Sequence, residues 1–136
     1  MPSTERFTTG DAARGGVLTV DDDSPFLAVL RDVVRATGHL DLVGEAQTGE
    51  GAIAAAQNLE PDVVLMDVQM PGIGGLVAAE EIKAARPSTV MVLISATHPD
   101  ELAPRAADSR VDAVIWKSAL EPRLLDEIWL RSRGGD

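Results

Sequence analysis

Four places in this sequence carry side chains that could do chemistry together: Asp21-Asp22-Asp23, Asp67, Ser95 and Lys117. Each stands at the end of a short apolar run. Crowded carboxylates repel and raise one another's proton affinity unless a cation joins them. An oxygen-only donor set without His or Cys selects a hard ion. A few carboxylates that leave room for water and phosphate suit Mg²⁺. Lys117 adds a compact positive charge fitted to a phosphate oxygen. Taken singly, each residue has an ordinary reading: three acids favour a helix N-terminus, Asp67 precedes a Met70-Pro71-Gly72 turn, and a Lys after a strand is commonly surface. Their joint placement at successive strand ends is what carries information.

The elements that must position these groups follow from periodicity. The apolar runs Val17–Val20, Leu40–Val43, Val63–Met66, Val90–Ile94 and Ala113–Trp116 predict strands. Three of them are nearly unbroken aliphatic blocks, as in strands buried on both faces. Between them lie Ala- and Leu-rich stretches with charges spaced at three and four, which suit amphipathic helices. Ser24-Pro25 predicts an N-cap and a first-turn proline, followed by Phe26, Leu27, Leu30, Val33 and Val34 at helical spacing. Thr48 caps a helix through Ala56. Glu80, Glu81 and Lys83 decorate a third helix that stops before Pro87. Pro122 opens a fifth, with Leu124, Leu125 and Ile128. For the fourth, Pro99 is the candidate start but Pro104 would fall in the interior, so that segment is expected to be short, irregular or late-starting. Five strands alternating with five helices imply a (βα)₅ α/β fold with a parallel sheet. In such sheets ligands bind beyond the carboxyl ends of the strands.

Composition narrows the function classes. The chain has 136 residues, enough for one domain core, and 45% apolar residues with only 3% aromatic. A net charge of −10 argues against a nucleic-acid surface, which needs clustered Lys and Arg. No cysteine means no disulfide framework and no thiolate metal site. No apolar run reaches the roughly 20 residues of a membrane span, and the start of the chain lacks the apolar block of a signal peptide. A cytoplasmic protein is the default expectation. Residues 1–16 read as a loose N-terminal tail, 17–131 as the domain, and 132–136 as a C-terminal tail or linker remnant.

The run Val20-Asp21-Asp22-Asp23-Ser24-Pro25 resembles the acidic turn of bacterial response-regulator receiver domains. Pro61-Asp62-Val63-Val64-Leu65-Met66-Asp67-Val68-Gln69-Met70-Pro71-Gly72, with Gly75 following, resembles their phosphoacceptor strand and loop. Ile94-Ser95-Ala96 and Trp116-Lys117-Ser118 match the remaining two signatures in order and spacing. The resemblance covers Val17 to Leu130. It implies a flavodoxin-like sheet of order 2-1-3-4-5, with Asp67 as the nucleophile that becomes an acyl phosphate. It implies Mg²⁺ held by Asp22, Asp67 and the backbone carbonyl of Gln69, with Asp21 acting through water and Asp23 outside the metal shell. Lys117 would pair with a phosphate oxygen, and Ser95 would swing to hydrogen-bond it. Gln69 and Thr97 occupy positions that influence phosphate hydrolysis in the family. The implied partner is a sensor histidine kinase, and the surface of helix four, strand five and helix five is the usual homodimer face.

Two departures matter. The family usually has Tyr or Phe three residues before the Lys, and here that residue is Val114, so signalling is expected to run through backbone shifts or Trp116. After Lys117 comes Ser118 rather than the common Pro, so a cis peptide, costing roughly 2.5–4 kcal/mol without proline, is not expected. A Lys followed by a small polar residue resembles the subfamily with a helix-turn-helix output domain. The chain is read as a stand-alone receiver or a fragment of such a regulator. A competing reading is an interaction module that keeps the fold but not phosphorylation control. A phosphohydrolase of the haloacid-dehalogenase type fits poorly, because that family has its nucleophile on the first strand and a second Asp two residues on, where this chain has Gln69. The expected activity is limited to the chain's own phosphorylation and dephosphorylation.

Overall fold

The aliphatic blocks Val63–Met66 and Val90–Ile94 can bury side chains on both faces only at the centre of a covered sheet, and there they lie. The structure, a computed structural model, describes residues 14–97 and 111–135. Its elements are β1 (Gly15–Val20), α1 (Ser24–Arg35), β2 (Leu40–Ala46), α2 (Gly49–Leu59), β3 (Val63–Asp67), α3 (Gly74–Ala85), β4 (Val90–Ser95), β5 (Ala113–Trp116) and α4 (Pro122–Leu130). A short 3₁₀ turn, Lys117–Ala119, leads from β5 toward α4. The segment on which the expected fourth helix falls lies outside the described residues.

All neighbouring strands pair in parallel, in the order β2-β1-β3-β4-β5. This is the doubly wound, flavodoxin-like arrangement expected from the sequence. Every residue of β3 and β4 is buried, whereas the edge strand β2 alternates. One core layer packs Val17, Leu65, Val92 and Ile115 against Leu30 and Val34 of α1 and Leu125 and Trp129 of α4. The other packs Leu18, Val64, Met66, Met91 and Leu93 against Ala52 of α2 and Leu76, Ala79 and Ile82 of α3. Each layer buries several aliphatic side chains worth about 1.5–3 kcal/mol apiece.

The register fixes the edge where chemistry is possible. Val20 pairs with Met66, Asp67 with Ile94, and Ser95 with Trp116. The carboxyl ends of β1, β3, β4 and β5 are therefore level, and the residues that follow them emerge side by side.

Four expected boundaries are corrected. Gly15 and Gly16 are not tail but the first two residues of β1, paired with Leu40 and Asp41. A Cβ at Gly15 would come within 2.7 Å of the Trp129 ring, and one at Gly16 within 2.9 Å of Val43, so glycine here serves close packing. The N-cap of α1 is Asp23, one residue before Ser24, and its side chain makes no capping hydrogen bond. At the other end, residues 132–135, expected as the start of the tail, lie in a wider π-type turn, Arg131–Gly135, that continues α4. It is held by a 2.6 Å hydrogen bond from the Ser132 hydroxyl to the Trp129 carbonyl and by Arg133 stacked 5.2 Å from the Trp129 ring. Elsewhere the local chemistry acts as read. Thr48 Oγ1 accepts from the Gly51 N–H and caps α2, which runs on to Leu59 rather than stopping at Ala56. Below α3, Lys83 donates to the carbonyls of Pro87 and Thr89 and pairs with Asp112 at 3.1 Å, which ties that helix to β4 and β5.

Candidate functional site

Asp21 leaves β1 with its N–H bonded to the Ala46 carbonyl, and its Oδ1 accepts the Asp23 N–H at 2.8 Å. That small turn aims the rest of its carboxylate inward, where it is 1% exposed. Asp67 is the last residue of β3 and is 4% exposed. Asp22, on the turn, is exposed. One carboxylate oxygen from each of Asp21, Asp22 and Asp67 lies within 4.8 Å of the others. Asp23 is exposed and is not one of the three clustered carboxylates.

Lys117 follows β5 and brings its ammonium to the same spot, 3.1 Å from Asp21 Oδ2 and 3.7 Å from Asp67 Oδ1. Its other neighbour is the ring of Phe26, 4.3 Å from Nζ. The electrostatics follow from burial. Removal from water, then the adjacent Asp21 charge, push the Asp67 carboxyl up to about 6, against the opposing pull of Lys117 and the Gln69 N–H. Burial works to release the Lys117 proton, but the charges of Asp21 and Asp67 outweigh it and hold the ammonium above the usual lysine range.

Ser95 ends β4 at the same edge and is 1% exposed, but its hydroxyl is engaged elsewhere. It contacts Thr97 Oγ1 at 2.9 Å and accepts the Thr97 N–H at 3.0 Å. Thr97 is thus a direct partner of the expected switch hydroxyl. Val114 is half-buried against the α2–α3 core layer. Trp116 is 39% exposed, and its Nε1 donates to the Ala96 carbonyl at 3.1 Å. Gln69 is exposed on the loop after β3. No cis peptide occurs among the described residues, Lys117-Ser118 included.

Two contributors escaped the sequence reading. Phe26 was counted only as a core residue of α1, although an aromatic in the first turn of a helix beside an acidic turn is a usable signal. Gly75 was noted only as part of a motif. Its N–H bonds the Val68 carbonyl, and a Cβ there would overlap the Asp67 carbonyl oxygen and lie 2.9 Å from Val68 Cα. The first turn of α3 therefore rides directly on the backbone of Asp67.

The donor set fits a hard divalent cation. All three clustered side chains are carboxylates, and the buried Asp21 Oδ2 faces Lys117 yet accepts no hydrogen bond of good geometry. Among the described residues Asp21 Oδ2 is paired with Lys117 alone, so the three clustered carboxylates keep oxygen lone pairs that such an ion would satisfy.

A model of the response regulator receiver domain matches residues 17–129. The chain belongs to that family. Among relatives of this receiver, an uncharacterized transcriptional regulatory protein, YxjL, of Bacillus subtilis is 34% identical over 114 residues, 83% of this chain and 52% of the relative. A Vibrio parahaemolyticus protein-glutamate methylesterase/protein-glutamine glutaminase is 37% identical over 82 residues, 60% of this chain and 22% of the relative. The receiver therefore spans about half the length of the first and less of the second. Among solved structures, a two-component response regulator of the LuxR family from Aurantimonas sp. SI85-9A1 superposes with a TM-score of 0.80 at 21% identity. It covers 89% of this chain and 86% of that one, a likeness of fold. Membership places the receiver in two-component signalling. No helix among the described residues is long and apolar enough to cross a membrane.

Proposed function

We propose that this receiver is a phosphorylation switch with Asp67 as phosphoacceptor. What carries the reading is the Asp67 carboxylate, buried at a strand end between two further acids and 3.7 Å from the Lys117 ammonium. The donor is a phosphohistidine of a sensor kinase. The Asp67 carboxylate attacks phosphorus, the P–N bond breaks, the imidazole leaves neutral because its other ring nitrogen already carries a proton, and an acyl phosphate forms. Asp22, Asp67 and the Gln69 carbonyl would hold Mg²⁺, with Asp21 through water. When bound, the ion offsets carboxylate charge and stabilises the equatorial phosphoryl oxygens.

The chain's own residues do the rest. Lys117 exchanges part of its pairing with Asp21 and Asp67 for a phosphate oxygen. Ser95 leaves Thr97 to hydrogen-bond the phosphate, and the loop after β4 follows it. Gln69 and Thr97 flank the phosphate and set how readily water reaches it. The activity is confined to the chain's own phosphorylation and dephosphorylation. The output is a changed surface around β5 and the C-terminal helix that controls a partner, a second copy or an output domain. A cytoplasmic location suits this role, the domain unit being residues 17–131 extended back to Gly15, and the −10 charge disfavours nucleic-acid binding by this chain.

Incubation with acetyl phosphate and Mg²⁺ should give a singly phosphorylated species by intact mass, abolished in Asp67→Asn. An unlabelled wild type, or equal labelling of the variant, ends the proposal. Val114, in place of the usual aromatic, favours one alternative, a phosphorylation-independent interaction module. Equal partner affinity with and without beryllofluoride would select it.

A further inference from the structure

We propose that Phe26 is a positioning residue for Lys117, holding its ammonium at the mouth of the acidic cluster by the negative face of its ring; this rests on the reading of Asp67 as phosphoacceptor.

Lysine is a point charge on a four-carbon stem with many rotamers, so something must fix where the charge stands. Three groups surround Nζ: Asp21 Oδ2 at 3.1 Å, Asp67 Oδ1 at 3.7 Å and the Phe26 centroid at 4.3 Å. The distance to Asp67 exceeds that of a direct hydrogen bond. The ammonium is thus suspended between the carboxylates on one side and a ring face on the other, rather than collapsed onto the nucleophile. A ring centroid within about 6 Å of an ammonium is in the range of a cation–π attraction.

The ring is itself held in place. Phe26 lies in the first turn of α1 and packs half-buried against the layer that contains Leu27, Leu30 and Ile115. It is the one phenylalanine among the described residues of a chain with two. Losing the ring's attraction lets the ammonium settle deeper on the carboxylates. The nucleophile is then more tightly paired, and the positive charge is further from the arriving phosphoryl oxygens.

The test separates electrostatics from packing. Phe26 in the full chain is replaced by 4-fluoro-, 3,5-difluoro- and 3,4,5-trifluorophenylalanine, which drain the ring face of negative potential with little change of shape. Rates of labelling by acetyl phosphate with Mg²⁺ are measured by intact mass, alongside Phe26→Leu and Phe26→Tyr. The expected result is a graded fall across the series, reaching about two- to five-fold in the trifluoro form, with Phe26→Tyr close to wild type. A flat series overturns the proposal, whether or not Phe26→Leu is slow, because a slow Phe26→Leu would then report packing alone. Absence of labelling in wild type and every variant would instead overturn the reading of Asp67, and this inference with it.

Discussion

The indole N–H of Trp116 donates to the carbonyl of Ala96 at 3.1 Å. Ala96 sits between Ser95 and Thr97, whose hydroxyls are bonded to each other. The indole thus grips the peptide that, in the proposed switch, shifts when Ser95 turns toward a phosphate. This contact gives β5 a way to sense the loop after β4 without the aromatic that Val114 replaces.

Phosphorylation should therefore change the emission of Trp116. Adding beryllofluoride and Mg²⁺ is expected to alter intrinsic fluorescence in wild type but not in Trp116→Phe, since the second indole, Trp129, is 3% exposed and packed far from the site against Gly15. A change that persists in Trp116→Phe would show that the indole is not the sensor.

Ser95 and Thr97 make a second prediction. Thr97→Val removes one hydroxyl partner of Ser95 and leaves a similar volume. The Ser95 hydroxyl is then easier to recruit, and beryllofluoride affinity is expected to rise by roughly two- to ten-fold, the worth of one neutral hydrogen bond. Isothermal titration distinguishes this from a decrease, which would mean that Thr97 helps the bound state instead.

Without metal, the acidic cluster destabilises the fold at neutral pH. The Asp67 carboxyl is raised to about 6 in the folded protein, above its usual value of 3.8. The folded state therefore binds the proton more tightly than the unfolded state, and this group's contribution is fully present below pH 3.8 and lost as pH rises through 6. At pH 7.5 in EDTA, Asp67→Asn should be more stable than wild type by about 1–3 kcal/mol, and the gap should close toward pH 4. Urea melts at both pH values check it, and a constant gap would refute the cause.

Magnesium should reverse that penalty. A ligand that binds only the folded state adds RT ln(1 + [L]/Kd), about 1.4 kcal/mol at tenfold excess over Kd. Thermal melts of wild type should shift upward with Mg²⁺, whereas Asp22→Asn and Asp67→Asn should respond weakly. Equal shifts in all three would place the ion elsewhere.

Gly75→Ala is expected to be costly although Gly75 caps no turn and has ordinary backbone angles. Its Cβ would overlap the Asp67 carbonyl, so α3 must move off β3, at about 1–3 kcal/mol or more. The same variant should slow labelling of Asp67, because the nucleophile's backbone is displaced with the helix.

Much of the site was legible because its residues terminate strands whose interiors are unmistakable. Val63–Met66 and Val90–Ile94 are long aliphatic runs, and the first polar residue after each had to emerge at the sheet edge. What failed to show in the sequence depends on contacts between distant segments. Gly15-Gly16 looks like the end of a loose tail until the Trp129 ring and Val43 are found filling the space above the two glycines. The stretch 132–135 looks like a tail until Ser132 and Arg133 close on Trp129. Phe26 reads as one more apolar position of α1, since nothing local announces a lysine from 91 residues further on standing over its ring. The hydroxyl pair of Ser95 and Thr97, by contrast, is local, two residues apart in the chain, although the sequence alone does not show that the two bond each other.

The seat of Gly75 against Asp67 has one more consequence. On the α3 flank Asp67 is braced by backbone packed on backbone, with no side chain between them. On the β4 flank it is bordered by a hydroxyl pair and an indole contact, all of which can exchange partners without opening the core. Strain introduced at Asp67 is thus deflected sideways across the sheet: the molecule has an anvil on one side and a hinge on the other, and the glycine decides which is which.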